Sequence, residues 1–117
     1  MSGSVTAPSS STNQEKFSLL SLCSKVTLDG SNYSDWLMNI KLALRYEDKE
    51  YVLDKEFKEL DEAAISPEEY TEYKKHYDDA TKVACIMVAT MTPELQRFYE
   101  DYWPYEMNKD LKEKFRK

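Results

Sequence analysis

The sequence predicts an all-α protein, a small bundle of about four to five helices. Apolar residues recur at intervals of three and four over most of the chain, and residues typical of helix caps precede three of the predicted helices. No stretch reads as a paired strand. With 117 residues, of which 41% are hydrophobic, the chain is long enough for one domain with a real core.

The chain divides into a tail and a helical domain. Residues 1–16 are rich in Ser and Thr and carry no hydrophobic periodicity. Such a composition cannot offset the entropy of ordering, so we expect a flexible tail there and a helical domain over residues 17–117. The domain begins with four large apolar side chains that could dock as a short segment, namely Phe17, Leu19, Leu20 and Leu22.

The stretch LDGSNYSDWLMNIKLAL, residues 28–44, is typical of a turn followed by a helix. Gly30 takes the positive φ that a turn requires, and Asn32 is a good cap for a helix over residues 33–47. Five apolar residues of this helix recur on one face, and all of them except Leu37 are expected to enter the core, with Trp36 as the largest. They are Tyr33, Trp36, Leu37, Ile40 and Leu44.

The middle of the chain holds an acidic run and the strongest helix start. Residues 47–62 contain eight acidic residues, which favour a solvated face over a partner-binding surface, and the apolar spacing from Leu53 to Ala64 makes a short helix possible. The sequence SPEE at residues 66–69 predicts a capping box with Pro at the first helical position. The helix that follows is expected to cover residues 67–91 and to contribute three further core residues, which are Tyr77, Ala84 and Met87.

The last third of the chain predicts two more helices and an aromatic cluster. Thr92 and Pro93 end the long helix and begin the next, which Pro104 ends, and Asn108 is expected to cap a final helix. Five aromatic residues within eight positions are either a partner-binding surface, in which Tyr and Trp act as anchors, or the closure of one end of the core, which is the simpler interpretation. These residues are Phe98, Tyr99, Tyr102, Trp103 and Tyr105.

The chain offers little for catalysis, cofactors or metals. Its single histidine, His76, is expected to face solvent in mid-helix, with no nucleophile identifiable beside it. One His and two distant cysteines, Cys23 and Cys85, do not make a zinc site, and both thiols are expected to be free. No loop has the pattern of a phosphate or calcium site. We therefore expect no enzymatic activity, no cofactor and no metal.

Charge and hydropathy restrict the partners and the location. A formal net charge of -6 disfavours nucleic acid as a direct partner. The basic residues near the end of the chain complement a helix carboxyl end more simply than they bind RNA; they are Lys112, Lys114, Arg116 and Lys117. No apolar run approaches the ~20 residues of a membrane span, and no signal peptide is visible. We expect a cytoplasmic protein with no membrane partner.

The same residues resemble the amino-terminal half of the Gag polyprotein of plant copia-type LTR retrotransposons. Residues 28–33 (LDGSNY) followed by Trp36 are similar to the family's L-x-G-x-N-Y-x-x-W opening. Residues 92–96 (TPELQ) and then Leu111 follow in the order of the family's later blocks, whereas Met107 stands where many members carry Trp. The resemblance covers about residues 17–117.

The resemblance implies a capsid-like helical lobe, similar to the amino-terminal domain of a retroviral capsid, that assembles into virus-like particles. In the family, a second helical domain and an RNA-binding zinc knuckle follow, so the chain is similar to the first lobe alone. We expect it to associate with itself weakly. The alternative is a domesticated Gag-derived adaptor that binds a peptide of a host protein through a groove formed by the five aromatic residues.

Overall fold

The computed structural model describes residues 26–115, which form four α-helices joined by loops and two short 3₁₀ helices. The α-helices are α1 (Tyr33–Tyr46), α2 (Pro67–Ala89), α3 (Pro93–Tyr99) and α4 (Pro104–Phe115), and the 3₁₀ helices are Glu50–Leu53 and Glu62–Ala64. Within the described range no strand is present, although Leu28 and Met91 form an isolated parallel bridge. The prediction of a small all-α bundle is confirmed.

Several predictions concern residues outside this range. The tail of residues 1–16, the apolar segment of residues 17–22 and Cys23 all precede the described part of the chain. Arg116 and Lys117 follow it.

The turn before α1 is built differently from the prediction. Gly30 has φ +98°, as the turn chemistry requires. Asn32 occupies the N-cap position, but its side chain does not bond the helix amides. Its Oδ1 accepts from the Asp29 amide at 3.1 Å, and its Nδ2 donates to the Thr27 carbonyl oxygen at 2.9 Å. The prediction of an Asn32 cap was therefore wrong in its mechanism, because this side chain fixes the turn.

The acidic run does not form the helix that its spacing allowed. Between the two 3₁₀ helices the chain is irregular, and of the apolar residues after Leu53 only Phe57 is buried, while Leu60 and Ala64 are exposed. Short helices are marginal without an apolar face to pack. In addition, the Asp61 side chain accepts from the Ala63 amide at 3.1 Å, a local bond that competes with a helix.

The long helix α2 begins as predicted. The Glu69 amide donates to Ser66 Oγ at 3.1 Å, and the Ser66 amide donates to Glu69 Oε1 at 2.9 Å, which completes the capping box. The helix ends at Ala89, two residues earlier than predicted, because the chain turns at Thr90 to pair with the first described residues. There the Leu28 amide donates to the Thr90 carbonyl oxygen at 2.8 Å.

The last helix begins earlier than predicted. Pro104 is its first residue, a position that suits the fixed φ of proline and needs no amide donor. Asn108 is a buried residue inside α4, so the prediction that it caps the helix was wrong. Its Oδ1 accepts a hydrogen bond from the Tyr33 hydroxyl at 3.0 Å, which joins α1 to α4.

The core lies where the inner face of α1 meets α2, α3 and α4. Five of the seven residues predicted for it are buried, Ala84 is half-buried against it, and Tyr77 is 38% exposed, so the prediction for Tyr77 was wrong. The Tyr77 ring packs at the rim of the core, and its centroid lies 5.8 Å from the centroid of Phe57 and 5.8 Å from that of Trp103. The five buried residues are Tyr33, Trp36, Ile40, Leu44 and Met87.

Trp36 is the largest fully buried side chain among the described residues. Its indole Nε1 donates to Thr90 Oγ1 at 2.8 Å, so the polar edge of the ring is satisfied inside the core. Thr90 Oγ1 also lies 2.9 Å from the Met87 carbonyl oxygen, at the end of α2. A single hydroxyl therefore ties the anchor of α1 to the last turn of α2.

Candidate functional site

The five aromatic residues near α3 do not form one groove. Tyr99 is fully buried, and its hydroxyl donates to Asp110 Oδ2 at 2.6 Å. Burial, and then the hydrogen bond to this carboxylate, raise the pKa of Tyr99 well above its usual range. Phe98, its neighbour, is exposed, with Lys114 Nζ 4.1 Å from the ring centroid. Tyr102 is half-buried and packs edge to face against Tyr99, at 4.9 Å between centroids.

The Trp103 ring does not pack with Tyr99 and Tyr102 but contacts other aromatic residues. Its ring lies 4.7 Å from Phe57 and 5.8 Å from Tyr77, between centroids, so it covers the loop before α2. Tyr105 is half-buried. The cluster therefore divides between core closure at Tyr99 and Tyr102, loop packing at Trp103 and an exposed ring at Phe98. The predicted groove of five aromatic residues is not formed.

The imidazole of His76 is buried, so the prediction of a solvent-facing histidine was wrong. The rings of Phe57 and Tyr51 cover it, with centroids 5.1 and 5.7 Å away. Its Nε2 atom is buried and has no hydrogen-bond partner among residues 26–115. Burial, and then the nearby charge of Lys55, lower the pKa of His76 below 6.5. The ring borders a pocket of about 290 Å³, but its unpartnered nitrogen is sealed from it, which suits packing better than catalysis.

The buried imidazole predicts a loss of stability in mild acid. Because the pKa of His76 is lower in the folded chain, the unfolded chain binds the proton more tightly, and stability falls as the pH drops below about 6.5. The expected slope is at most about 1.4 kcal/mol per pH unit. Urea unfolding of the parent chain and of His76→Leu at about pH 7.5 and about pH 5.5 measures it.

The comparison with the variant isolates His76 from other groups that titrate. Burial raises the pKa of Glu106, which makes a contribution of opposite sign that is common to both proteins. An equal loss of stability in His76→Leu and in the parent would contradict the assignment.

A buried carboxylate, that of Asp79, joins the loop after α1 to α2. Asp79 Oδ2 accepts from Lys75 Nζ at 2.8 Å and, in a short hydrogen bond, from the Tyr51 hydroxyl. Lys49 Nζ lies 3.8 Å from the other oxygen. Burial by itself would raise the pKa of Asp79, but the hydrogen bonds from Lys75 and Tyr51 outweigh it, and the net shift is downward. This cluster is a structural tie between two elements.

The outer face of α1 carries a row of large apolar side chains that are open to solvent. Met38, Leu42 and Tyr46 follow one another at four-residue intervals, and all three are exposed. Residues four apart lie on the same face of a helix, so the three side chains form one continuous strip, which we call the α1 strip. An exposed apolar strip on a helix whose opposite face fills the core is typical of a contact surface.

Sequence reasoning missed the α1 strip and the Asp79 cluster. The strip has a signal in the sequence, which is three large apolar residues spaced by four. The face that carries Trp36 is the more strongly apolar of the two, and it alone was interpreted as a packing face. The Lys75–Asp79 pair has helical spacing and was detectable, whereas the approach of Tyr51 depends on the path of the loop.

The described residues contain no group of three or more His, Cys, Asp or Glu side chains placed to hold a metal ion. Over the same residues, no helix is both long and apolar enough to cross a membrane. Cys85 is a free, exposed thiol.

Comparisons of the chain with protein-family models, with curated proteins and with solved structures found no match. The functional argument therefore depends on the surfaces and contacts of the chain itself.

Proposed function

We propose that this chain is a structural domain that associates with further copies of itself, as the amino-terminal capsid lobe of a Gag-type polyprotein does. The observation that carries the proposal is the α1 strip, formed by Met38, Leu42 and Tyr46. The resemblance of residues 28–36 to the Gag motif supports it, and these residues have structural roles here: Gly30 makes the turn and Trp36 is the core anchor.

The position of the strip favours contact between rigid bodies. The strip extends from Met38 to Tyr46, which is nine residues and about 12 Å of helix. On the opposite side of α1, Trp36 and Ile40 are completely buried, so the helix is held in place by the core. A contact surface on a fixed helix loses little conformational entropy when a partner binds.

The strip is complementary to itself in an antiparallel arrangement. If two copies of α1 cross at Leu42, Met38 of one copy lies opposite Tyr46 of the second. The helix ends also match, because antiparallel copies place the two helix dipoles in favourable opposition. Arg45 in the last turn of α1 is already paired with Glu50 of its own chain at 3.1 Å, so the side-chain charges contribute little to this match. This complementarity supports a second copy as the partner.

The size of the strip supports weak association. Three side chains on one helix cover much less than the ~800 Å² that each partner contributes to a stable interface. Weak contacts of this kind suit an assembly in which each copy has several neighbours, because the contacts act together.

The adaptor function is supported less well. It requires a groove lined by the five aromatic residues, and Tyr99 is fully buried while Trp103 packs against Phe57. Phe98 is the one member of that set with a largely exposed ring. Self-association through α1 is therefore the function that the geometry favours.

Sedimentation velocity from micromolar to millimolar protein tests the proposal. We expect association that Leu42→Glu weakens by at least about tenfold, because the charge would be desolvated at the centre of the contact. Leu60→Glu is a matched control: Leu60 is 46% exposed and Leu42 is 47% exposed, and Leu60 lies in the loop before α2. A parent chain that stays monomeric at millimolar concentration would contradict the proposal, as would equal association in both variants.

A further inference from the structure

Met38 is the one exposed methionine among the residues that the structure describes. The chain contains five methionines, and four of them lie within residues 26–115. Met38 is 59% exposed on the outer face of α1, whereas Met87, Met91 and Met107 are at most 3% exposed in the core. A dissolved oxidant therefore meets the Met38 sulfur directly, and it reaches the other three only when the fold opens.

The same side chain is the first member of the α1 strip. We propose that Met38 is a site of reversible oxidation by hydrogen peroxide, and that its conversion to the sulfoxide switches off association through the α1 strip. The inference rests on the proposed function, because it needs the strip of a second copy as the partner.

The reaction needs only the peroxide and the exposed thioether. The Met38 sulfur attacks one peroxide oxygen, the O–O bond breaks as the S–O bond forms, and the leaving hydroxide takes up the proton of the transferred hydroxyl. The sulfur gives up two electrons, the peroxide is reduced, and the products are the sulfoxide and one molecule of water. The sulfoxide is polar, and methionine sulfoxide reductases return it to the thioether, so the modification is reversible.

The antiparallel arrangement of two strips places the Met38 sulfur against an aromatic ring. Within one chain, Met38 and Tyr46 are eight positions apart, which is about 12 Å along α1, with Leu42 between them. When two copies cross at Leu42, each Met38 faces Tyr46 of the second copy, and a thioether makes favourable contacts with an aromatic ring. The symmetric contact therefore contains two sulfur–ring pairs.

Oxidation makes both of these pairs unfavourable. The sulfoxide oxygen binds water in the free chain, and closing the contact removes that water, which costs free energy unless a donor replaces it. The one polar group that the opposing strip offers is the Tyr46 hydroxyl, which must give up its own water to bond the sulfoxide, so the exchange brings little gain. Because the contact is symmetric, the association constant contains this loss twice.

Association should in turn protect Met38 from oxidation. The contact that oxidation weakens also covers the sulfur, so the thioether and the second copy favour each other. The sulfur should therefore react fastest in dilute, monomeric protein and more slowly when most copies are associated.

Peroxide treatment followed by peptide mass spectrometry tests the selectivity of the reaction. In a chain with Cys23→Ser and Cys85→Ser, which has no competing thiol, Met38 should oxidise at least about tenfold faster than each core methionine at micromolar protein. Its rate should fall at least about twofold at a concentration where most copies are associated. Equal rates at the four methionines would overturn the inference, as would a concentration-independent rate at Met38 in a chain that associates.

Sedimentation velocity of the same chain before and after oxidation at Met38 measures the effect on association. We expect the association constant to fall at least about tenfold, and to return after treatment with the two methionine sulfoxide reductases. The matched control is Met38→Leu, whose association constant, whatever its value, should be the same before and after peroxide. Since the other four methionines are present in both chains, an equal fall in Met38→Leu would overturn the inference.

The remaining outcomes separate this inference from the proposed function. A reduced chain that stays monomeric at millimolar concentration would overturn the proposed function and the inference with it. A reduced chain that associates, and that keeps the same association constant after oxidation at Met38, would overturn the inference alone. A loss of helical circular dichroism on oxidation would also overturn it, because association would then be lost through unfolding.

Discussion

Replacing Trp36 by Ala is expected to lower the free energy of unfolding by about 3–5 kcal/mol, the largest effect of any single change considered. The indole is fully buried at the junction of α1 with the end of α2, and neighbouring side chains cannot collapse completely into the space it leaves. The change also removes the donor that satisfies Thr90 Oγ1. Small domains have total stabilities of about 5–15 kcal/mol, so the variant should be close to its folding limit.

Urea unfolding followed by circular dichroism measures this loss. Met38→Ala on the same helix is the control, because Met38 is exposed and its truncation should change stability by no more than about 0.5 kcal/mol. Thr90→Val separates the hydrogen bond from the packing and should cost about 1–3 kcal/mol. A Trp36→Ala chain that unfolds at the same urea concentration as Met38→Ala would show that the indole is not the anchor of the core.

Replacing Asp79 by Ala should have the second-largest effect, a loss of about 2–3 kcal/mol. The Asp79 carboxylate accepts hydrogen bonds from Tyr51 and Lys75 in a buried site, and its removal leaves the Tyr51 hydroxyl without this acceptor. The neighbouring carboxylate provides a matched control. Asp78 is half-exposed and pairs with Lys74 at 3.5 Å on the surface, so Asp78→Ala should cost less than about 1 kcal/mol.

The Asp79 cluster also predicts a separate step of acid sensitivity. The pKa of Asp79 is lower in the folded chain than in the unfolded chain. Its contribution to the free energy of unfolding is therefore complete above the unfolded pKa of about 3.9, and it is lost as the pH falls through the pKa of the folded chain. This step lies at lower pH than that of His76. Chemical unfolding of the parent, Asp78→Ala and Asp79→Ala over this range measures it, and a step of equal size in both variants would contradict the assignment.

The parts of the fold that were predictable from the sequence are those that depend on neighbouring residues. The capping box at Ser66 and Glu69 is local chemistry, and it occurs in the structure as predicted. The inner face of α1 follows from helical periodicity alone, which is why Trp36 and Ile40 were assigned to the core correctly.

The errors arise where a distant partner decides the role of a residue. Asn108 looks like a cap in sequence, but its actual partner is the Tyr33 hydroxyl, 75 positions earlier. His76 looks like a surface residue of α2, and it is buried because Phe57 in the preceding loop covers it. Such pairings depend on tertiary structure and leave no signal in a local window.

The candidate surface was predictable only in part. The sequence indicated a protein that works by contact, but it directed attention to the aromatic residues near α3, where Tyr99 is buried. Only one of the three side chains in the α1 strip is aromatic, so the sequence marks the strip less clearly as a binding surface. Its exposure follows from the tertiary structure, because the opposite face of the helix fills the core.

The bonds that close the core also determine when it can form during synthesis. The Leu28–Met91 bridge, the Trp36–Thr90 bond and the Tyr33–Asn108 bond span 63, 54 and 75 positions of sequence. A nascent chain therefore cannot enclose α1 until residues beyond 108 have left the ribosome tunnel, and both faces of α1 stay open to water until then. Folding of this domain should accordingly be one event that requires α4, and ribosome-bound fragments that end before α4 should bind chaperones.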